Sequence, residues 1–449
     1  TTNLQAETVA VAVVAPGQAQ AAEASSRKVL QPKIIPASSA LVPDELTLQE
    51  AEQIAIKNNP HIHVGQLLAR AQHQVYRETR SAYLPQLEGG AVGAKANSGS
   101  RFTVDGLRST RLLTHAGGGV MLNQLIFDFG RTTNLMASSR LQEKAQNAKA
   151  MANRLDVVLI TDQAFYGALE AQALVRLAQQ TVDTRDTTNR QITELTKNKL
   201  RSDIDLAISD ENIAQARLLL LDAQTQKETA MNALIAVLGF DQPLHCRLVD
   251  RSADVTPPPG ADVLVKLALE QRPDLMALNY TQQAAKKYSR AQREQMLPTI
   301  STNGVVGVTP VRTDQYFTSN WFGAVALNLK VPIFNGFLYS AEAGEAEERA
   351  GAAKENLRDL RNRVVRDVRD ASLQTHTSYE KIAATEKFLD AANLGLKLAQ
   401  ARYKLGLSSI VELSQAQLAE TQASIENVNA RFEYELSLAA LNYQLGNLP

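Results

Sequence analysis

Six histidines and a single cysteine are the side chains of this chain best suited to metal binding or nucleophilic attack. His61 and His63 stand two apart, a spacing that puts them on different faces of a helix. Adding His73 does not complete the converging set that a zinc site requires, so solvated side chains are the better reading. His245-Cys246 lies in a proline-rich stretch with no Asp or Asn arranged to orient an imidazole, and no nucleophilic site is expected there. The glycine run 117–119 reads as part of a strand rather than a phosphate-cradling loop, and no Walker sequence occurs. One cysteine also excludes an intrachain disulfide framework and any thiolate cluster. Carboxylates are plentiful on helix-forming stretches, where a charge run is ordinarily a solvated face. The expectation is a chain without catalysis, cofactor or metal.

Charge narrows the partners. With 47 basic and 47 acidic residues there is no basic field to hold nucleic acid. No run approaches the roughly 18 apolar residues of a membrane helix, so any membrane span must be a β-barrel.

The elements that would position a site come in two copies. Pro60 and the pair Leu84-Pro85 recur as Pro273 and Leu297-Pro298, 213 positions on. Phe127-Asp128, Leu200, Ile204-Asp205-Leu206 and Leu238-Gly239 recur as Phe334-Asn335, Leu407, Val411-Glu412-Leu413 and Leu445-Gly446, 207 positions on. An internal duplication of roughly 200 residues, with a short slip in one loop, accounts for both offsets. The chain divides into a low-charge tail over residues 1–44, a first repeat over 45–239, a proline-rich linker over 240–261 and a second repeat over 262–449. The tail is expected to be flexible. Its apolar run 9–15 is too short to span a membrane and lacks the basic flank of a signal peptide, so the numbering is expected to begin on a mature or trimmed chain. With no cysteine near the start, an amino-terminal lipid anchor is not expected on this chain.

The first repeat opens with a short helical stretch ending near Asn59. A helix over 60–84 follows, begun by Pro60 and barred from continuing by Pro85. Alternating segments over 87–93 and 116–127, separated by a polar loop over 101–111, predict a hairpin. The second repeat offers 300–308, a loop with Pro310 and Asp314, and 320–334. In that last run Trp321, Gly323, Val325, Leu327, Leu329 and Val331 share one face, and Phe322, Ala324, Ala326, Asn328 and Lys330 the other. Alternation alone fits a half-buried sheet of a soluble domain as well as a lipid-facing strand.

The helical remainder is unusual in length. Segments 131–198 and 337–403 contain no proline and are dense in helix formers; each predicts a helix of about 100 Å. Each leads into another helix, 203–238 or 408–445, closed by Gly239 or Gly446. The last carries Val411, Leu418, Ile425, Phe432 and Ala439 at a seven-residue period, and its counterpart carries Leu206, Ile213, Leu220 and Leu234, interrupted by Lys227. Such seams pair helices as coiled coils. Two short helices stacked end to end match one long helix, which would close a wall of uniform height.

Long helices, hairpin strands, the Phe-Asp-x-Gly turn at 127–130, the Val-Pro-Ile-Phe-x-Gly turn at 331–336, and Tyr403-x-x-Gly406 followed by Glu412 resemble the TolC-like outer-membrane efflux proteins, from Leu46 to the end. The resemblance implies a mainly α chain in a homotrimer. Four strands per chain would close a twelve-stranded β-barrel in the outer membrane, and the helices would form a coiled-coil tunnel across the periplasm. It further implies a passive export duct of a tripartite efflux or type I secretion system. A periplasmic adaptor protein, an inner-membrane transporter and outer-membrane lipid would be its partners, with Trp321, Val325, Leu327 and Leu329 facing the lipid. The rival reading is a soluble periplasmic coiled-coil scaffold.

The family's adaptor-docking tips carry a glycine in each repeat. Here Leu405-Gly406-Leu407 keeps that pattern, whereas Lys199-Leu200 has lysine in the glycine's place, so the first turn is expected to differ in shape. The family closes its periplasmic end with links for which Tyr403 and Asp205 are the matching residues, expected to hydrogen-bond, with Arg201 substituting for a missing base. Glu412 matches a lumen-facing acid; it could equally be a surface residue favoured by the helix dipole. Two family positions differ, since Gln415 replaces a second acid and Ser408 the base.

Overall fold

The computed structural model describes residues 45–95, 101–104, 108–111, 115–242, 246–249, 260–308 and 321–447. The tail, His245, most of the linker and the loop with Pro310 and Asp314 lie outside the described residues. The first repeat runs β1 (Glu45–Leu46), α1 (Leu48–Asn58), α2 (Pro60–Ser81), β2 (Gln86–Ala94), β3 (Arg101–Val104), β4 (Arg108–Arg111), β5 (His115–Phe127), α3 (Arg131–Lys197) and α4 (Asp203–Leu238). β6 (Arg247–Leu248) falls in the stretch expected as a linker and pairs in parallel with β1, and the second repeat runs α5 (Ala261–Gln271), α6 (Pro273–Glu294), β7 (Thr299–Val308), β8 (Trp321–Lys330), α7 (Leu338–Lys404) and α8 (Ile410–Leu445). The chain is mainly helical, and no described helix is long and apolar enough to cross a membrane.

Local chemistry sets the boundaries. Thr47 and Glu50 form a reciprocal capping box at the start of α1, Glu50 N donating to Thr47 Oγ1 and Thr47 N to Glu50 Oε2. Asn59 accepts from His61 N at 2.9 Å to start α2, and its Nδ2 donates to Val237 O at 2.8 Å, which ties that start to the end of α4. Buried Asp128 accepts from Thr132 N at 2.7 Å at the start of α3, where the helix dipole favours its charge. Three boundaries depart from the sequence expectation. α2 stops at Ser81 because its last turn tightens, Leu84 N donating to Ser81 O, ahead of Pro85. β8 stops at Lys330, because Pro332 cannot donate to a ladder. Segment 101–111, expected as a loop, holds the antiparallel pair β3 and β4, whose short sequences Arg-Phe-Thr-Val and Arg-Ser-Thr-Arg leave too little apolar alternation to read.

α3 packs with α1, α2, α4, α6 and α8, whereas α7 packs with α5, α6 and α8. The helices thus form a wall whose order runs from α2 and α4, through α3, to α6 and α8, and then α7. One core gathers Leu46, Ala51, Phe165, Leu234, Leu238 and Leu248, and a second gathers Leu264, Ala268, Val364, Val368, Leu441 and Leu445. Burying a side chain such as Phe165 contributes about 1.5–3 kcal/mol. The heptad seams are only partly realised. Ile213, Leu234 and Ala439 are buried, but Val411 and Leu418 are exposed, and the buried line of α8 runs through Ile410, Leu413, Gln417 and Thr421. A helix that must serve both α3 and α7 turns its contact line away from a single-partner seam.

The strands follow the order of the wall, β2-β5-β7-β8, all antiparallel, so the hairpins of both repeats join in one sheet. The register sets Trp321, Val325, Leu327 and Leu329 on the same face as Ile300, Val306, Val120, Leu122 and Leu87, with Thr302 and Gln124 as polar members of that face. The opposite face carries Lys330, Glu88 and an asparagine ladder, in which Asn303 Nδ2 donates to Asn123 Oδ1 at 2.9 Å and Asn328 Nδ2 to Asn303 Oδ1 at 2.6 Å. The glycines within β5 and β7 serve close approach, since a Cβ on Gly119 would lie 2.7 Å from Val306 O.

Candidate functional site

The two helix-turn-helix tips are built alike. At the end of α3, Leu200 N donates to Leu195 O at 2.9 Å and Lys199 N to Thr196 O at 2.9 Å; at the end of α7, Leu407 N donates to Arg402 O at 2.8 Å and Gly406 N to Tyr403 O at 3.0 Å. Both are Schellman turns, which need a left-handed residue after the helix. Gly406 takes it at φ +74° and Lys199 at φ +56°, so the expected difference in shape is corrected. The lysine turn keeps the geometry at a strain of roughly 1 kcal/mol. Its carbonyl-satisfying bonds and the helix that follows over-determine the conformation. Leu200, Leu405 and Leu407 are exposed at these turns. Ser202 and Ser409 then cap α4 and α8 through Asp205 N and Glu412 N, at 3.4 and 3.3 Å.

Above the turns Ile192, Ala399, Tyr403, Ile410 and Leu413 form a third core. Arg201 reaches into it from the first tip. Its guanidinium carbon lies 4.1 Å from the centroid of the Tyr403 ring, and Nη2 donates to Tyr403 O at 2.6 Å. The expected hydrogen bond between Tyr403 and Asp205 is not made, because the Tyr403 hydroxyl is buried without a partner among the described residues. Burial pushes the Tyr403 pKa up, with Arg201 acting against the rise and Asp205 adding to it. Asp205 therefore acts on the ring as a nearby charge only. A second link joins the tips where Ser414 Oγ donates to Asn212 Oδ1 at 2.9 Å. Glu412 Oε1 is paired with Arg402 Nε at 3.1 Å across its own turn. Sequence reasoning missed Arg402, although a base at the end of one helix and an acid at the start of the next was a visible signal.

The other residues weighed for chemistry stay apart. His73 Nδ1 meets Glu143 Oε1 at 2.8 Å, His63 Nε2 lies 3.0 Å from Lys57 O, and the described residues hold no group able to bind a metal. Cys246 packs at the edge of the first core, where burial pushes its thiol pKa up. Trp321, Val325, Leu327 and Leu329 are all exposed, Val325 to 84% and Leu327 to 71%. Not foreseen was a buried acid pair in the first repeat, since Glu52 and Asp162 lie far apart in sequence. They share a hydrogen bond beside a cavity of about 210 Å³ lined also by Leu155, Val158 and Tyr443. Burial and then the Glu52 charge push Asp162 up to about 8, and burial also raises Glu52. The Tyr443 hydroxyl donates to Asp156 Oδ1 at 2.7 Å, and burial pushes its pKa up to about 12.

The duplicated helical wall continues into a four-stranded antiparallel sheet with one mostly apolar face. The model of the family described as Outer membrane efflux protein matches residues 52–240 and 264–447, and the chain belongs to that family. It is 25% identical over 418 residues to Outer membrane protein TolC of Salmonella enteritidis, covering 89% of this chain and 82% of that one. It is 26% identical over 408 residues to Outer membrane protein OprJ of Pseudomonas aeruginosa, covering 89% and 84%. A crystal structure of a membrane protein from Pseudomonas aeruginosa shares the fold with a TM-score of 0.77 at 24% identity, over 89% of this chain and 93% of that one. The protein is an outer-membrane export duct of efflux systems.

Proposed function

We propose that the duct is a homotrimer in which each chain gives β2, β5, β7 and β8 to a twelve-stranded barrel and its helices to a tunnel across the periplasm. The observation that carries this reading is that the wall and the sheet are open at the same two sides. β2 and β8 each present an unpaired edge, a feature that proteins rarely leave uncovered. Below them, Val64, Leu67 and Leu68 of α2 and Leu218 and Leu221 of α4 are exposed on one side, and Leu373, Leu394 and Leu398 of α7 on the other. Unlike edges that bind one another close into a ring by rotation. The Trp321 face then meets lipid, and the asparagine ladder lines the lumen.

The duct is passive and receives cargo from an inner-membrane transporter through a periplasmic adaptor. The adaptor docks at Lys199, Leu200, Leu405, Gly406 and Leu407. Arg201 holds the gate by stacking on Tyr403 and binding its carbonyl, with Asp205 as a neighbouring charge. Threefold symmetry turns Glu412 into a ring of carboxylates that favours cations, weakened by its half-exposed partner Arg402. Single-channel recording of the purified protein in a planar bilayer tests the reading. Ion-conducting pores are expected, with Arg201→Ala raising conductance and Glu412→Gln lowering cation selectivity. A monodisperse monomer needing no detergent would point to the scaffold instead.

A further inference from the structure

Between α3 and α8, about 20 Å along α3 from its turn at 1.5 Å per residue, lies a groove of about 420 Å³ whose lining includes Arg185, Gln417 and Thr421. Arg185 is only 8% exposed. Its Nη1 donates to Gln417 Oε1 and its Nη2 to Thr421 Oγ1 at 3.3 Å, so both partners are neutral. No carboxylate lies within ion-pair distance of it among the described residues, and a guanidinium does not shed its proton in a protein. Buried arginines are ordinarily paired. Burial pulls the pKa of Arg185 down, and the field of Glu420 acts against that fall.

A second deficit sits beside the first. Gln417 is 3% exposed, and with its Oε1 taken by Arg185 its Nε2 is a buried donor without an acceptor among the described residues. Folded proteins keep few such groups. One ligand answers both deficits, a small anion with several acceptor oxygens, and the planar fork of Arg185 suits an oxyanion. Two carboxylates also line the groove, and Glu420 competes for Arg185 through its field, but neither lies within ion-pair distance of it and each accepts a hydrogen bond on its own helix. Asp183 accepts from Gln179 Nε2 at 3.0 Å, and Glu420 Oε1 from Ser424 Oγ at 3.0 Å.

We propose that this groove binds a free inorganic oxyanion of the phosphate or sulfate class, held by Arg185 and the Gln417 amide, which ties α3 to α8. The site does not rest on the duct reading, so channel recordings and anion binding can fail separately. The test is calorimetric titration of the full-length protein in detergent with inorganic phosphate and, separately, sulfate. Saturable binding of one ion per chain is expected, weakened at least ten-fold in Arg185→Met and tightened several-fold in Glu420→Gln, which removes a competing charge. Because Arg185→Met could disturb folding, Gln417→Glu is the second variant. It supplies the missing carboxylate from within and is expected to keep or raise Tm while abolishing phosphate binding. Absence of binding in both the wild type and Glu420→Gln overturns the proposal, as does unchanged phosphate affinity in a folded Gln417→Glu protein.

Discussion

The two repeats follow one course of backbone and treat charge in opposite ways. Glu52 and Asp162, the buried acid pair of the first repeat, correspond by the repeat offsets to Val265 and Arg369 in the second. Arg369 instead makes a solvent-exposed pair with Asp262 at 3.5 Å. The long helices differ in the same sense. α3 and α7 both run 67 residues, but α3 buries sixteen and α7 nine, because α3 lies inside the wall and α7 at its open side. The tips show the converse, since Lys199 and Gly406 are chemically unlike yet close the same turn. Duplicated backbones stay alike because helix lengths, caps and turns are satisfied locally. Side chains diverge with the neighbours that each copy meets.

The largest test of the comparison is at the sheet, where the repeats should behave alike. Leu327→Arg and its counterpart Val120→Arg lie on one face and should each lower the yield of heat-resistant trimer in membranes, at about 2–4 kcal/mol near the bilayer centre. Ala326→Arg, on the ladder face, should be tolerated. Equal loss at Leu327 and Ala326 would remove the distinction between lipid and lumen faces.

The repeats should separate in their response to pH. Asp162 has its folded-state pKa raised from 3.8 to about 8, so the folded protein keeps a proton that the unfolded chain releases. Its contribution is fully present below about pH 4 and is lost as the pH rises towards 8, at no more than about 1.4 kcal/mol per pH unit. Thermal melts between pH 5.5 and 8 should flatten in Asp162→Asn and keep their slope in Arg369→Gln. The same slope in both variants would show that the buried pair is not the source.

At the tips, Gly406→Ala should cost roughly 1 kcal/mol and Lys199→Gly should be neutral or gain up to as much, each read from denaturant midpoints. No atom stands within 4 Å of a Cβ at Gly406, so only backbone strain is at stake there. The smallest effect is expected at the Tyr403 hydroxyl. Tyr403→Phe should leave stability and conductance nearly unchanged because the hydroxyl has no partner, while Arg201→Ala should lose the stacking, worth about 0.5–2 kcal/mol, and widen the pore. A larger effect in Tyr403→Phe than in Arg201→Ala would restore the link to Asp205.

Much of the fold was legible because its signals are local. Pro60, Pro85, Pro273 and Pro298 bracket the short helices, Gly239 and Gly446 end α4 and α8, and period-two alternation marks β5 and β8. β3 and β4 were illegible because four-residue strands of mostly polar residues carry no readable apolar period, and Val411 and Leu418 misled because a heptad presumes one partner helix. At the turn end of the wall, motif spacing pointed to Arg201, Asp205, Tyr403 and Glu412 as residues to watch. It could not choose their partners, because Arg201 and Tyr403 are about 200 positions apart and a shift of one side chain decides which contact forms.

By itself the sequence determined the duplication, the two pairs of long helices, the hairpins and the faces of the last strand, all set by interactions within a few residues. Only the tertiary structure decided that β5 pairs with β7 across the repeats, that α3 is interior and α7 peripheral, and that Lys199 adopts the conformation of a glycine. It alone brought Glu52 to Asp162 and, among the described residues, left Arg185 with no carboxylate at ion-pair distance. The physical reason is range. Helix propensity, capping and alternation are short-range preferences written along the chain, whereas desolvation and charge pairing depend on which distant surfaces meet.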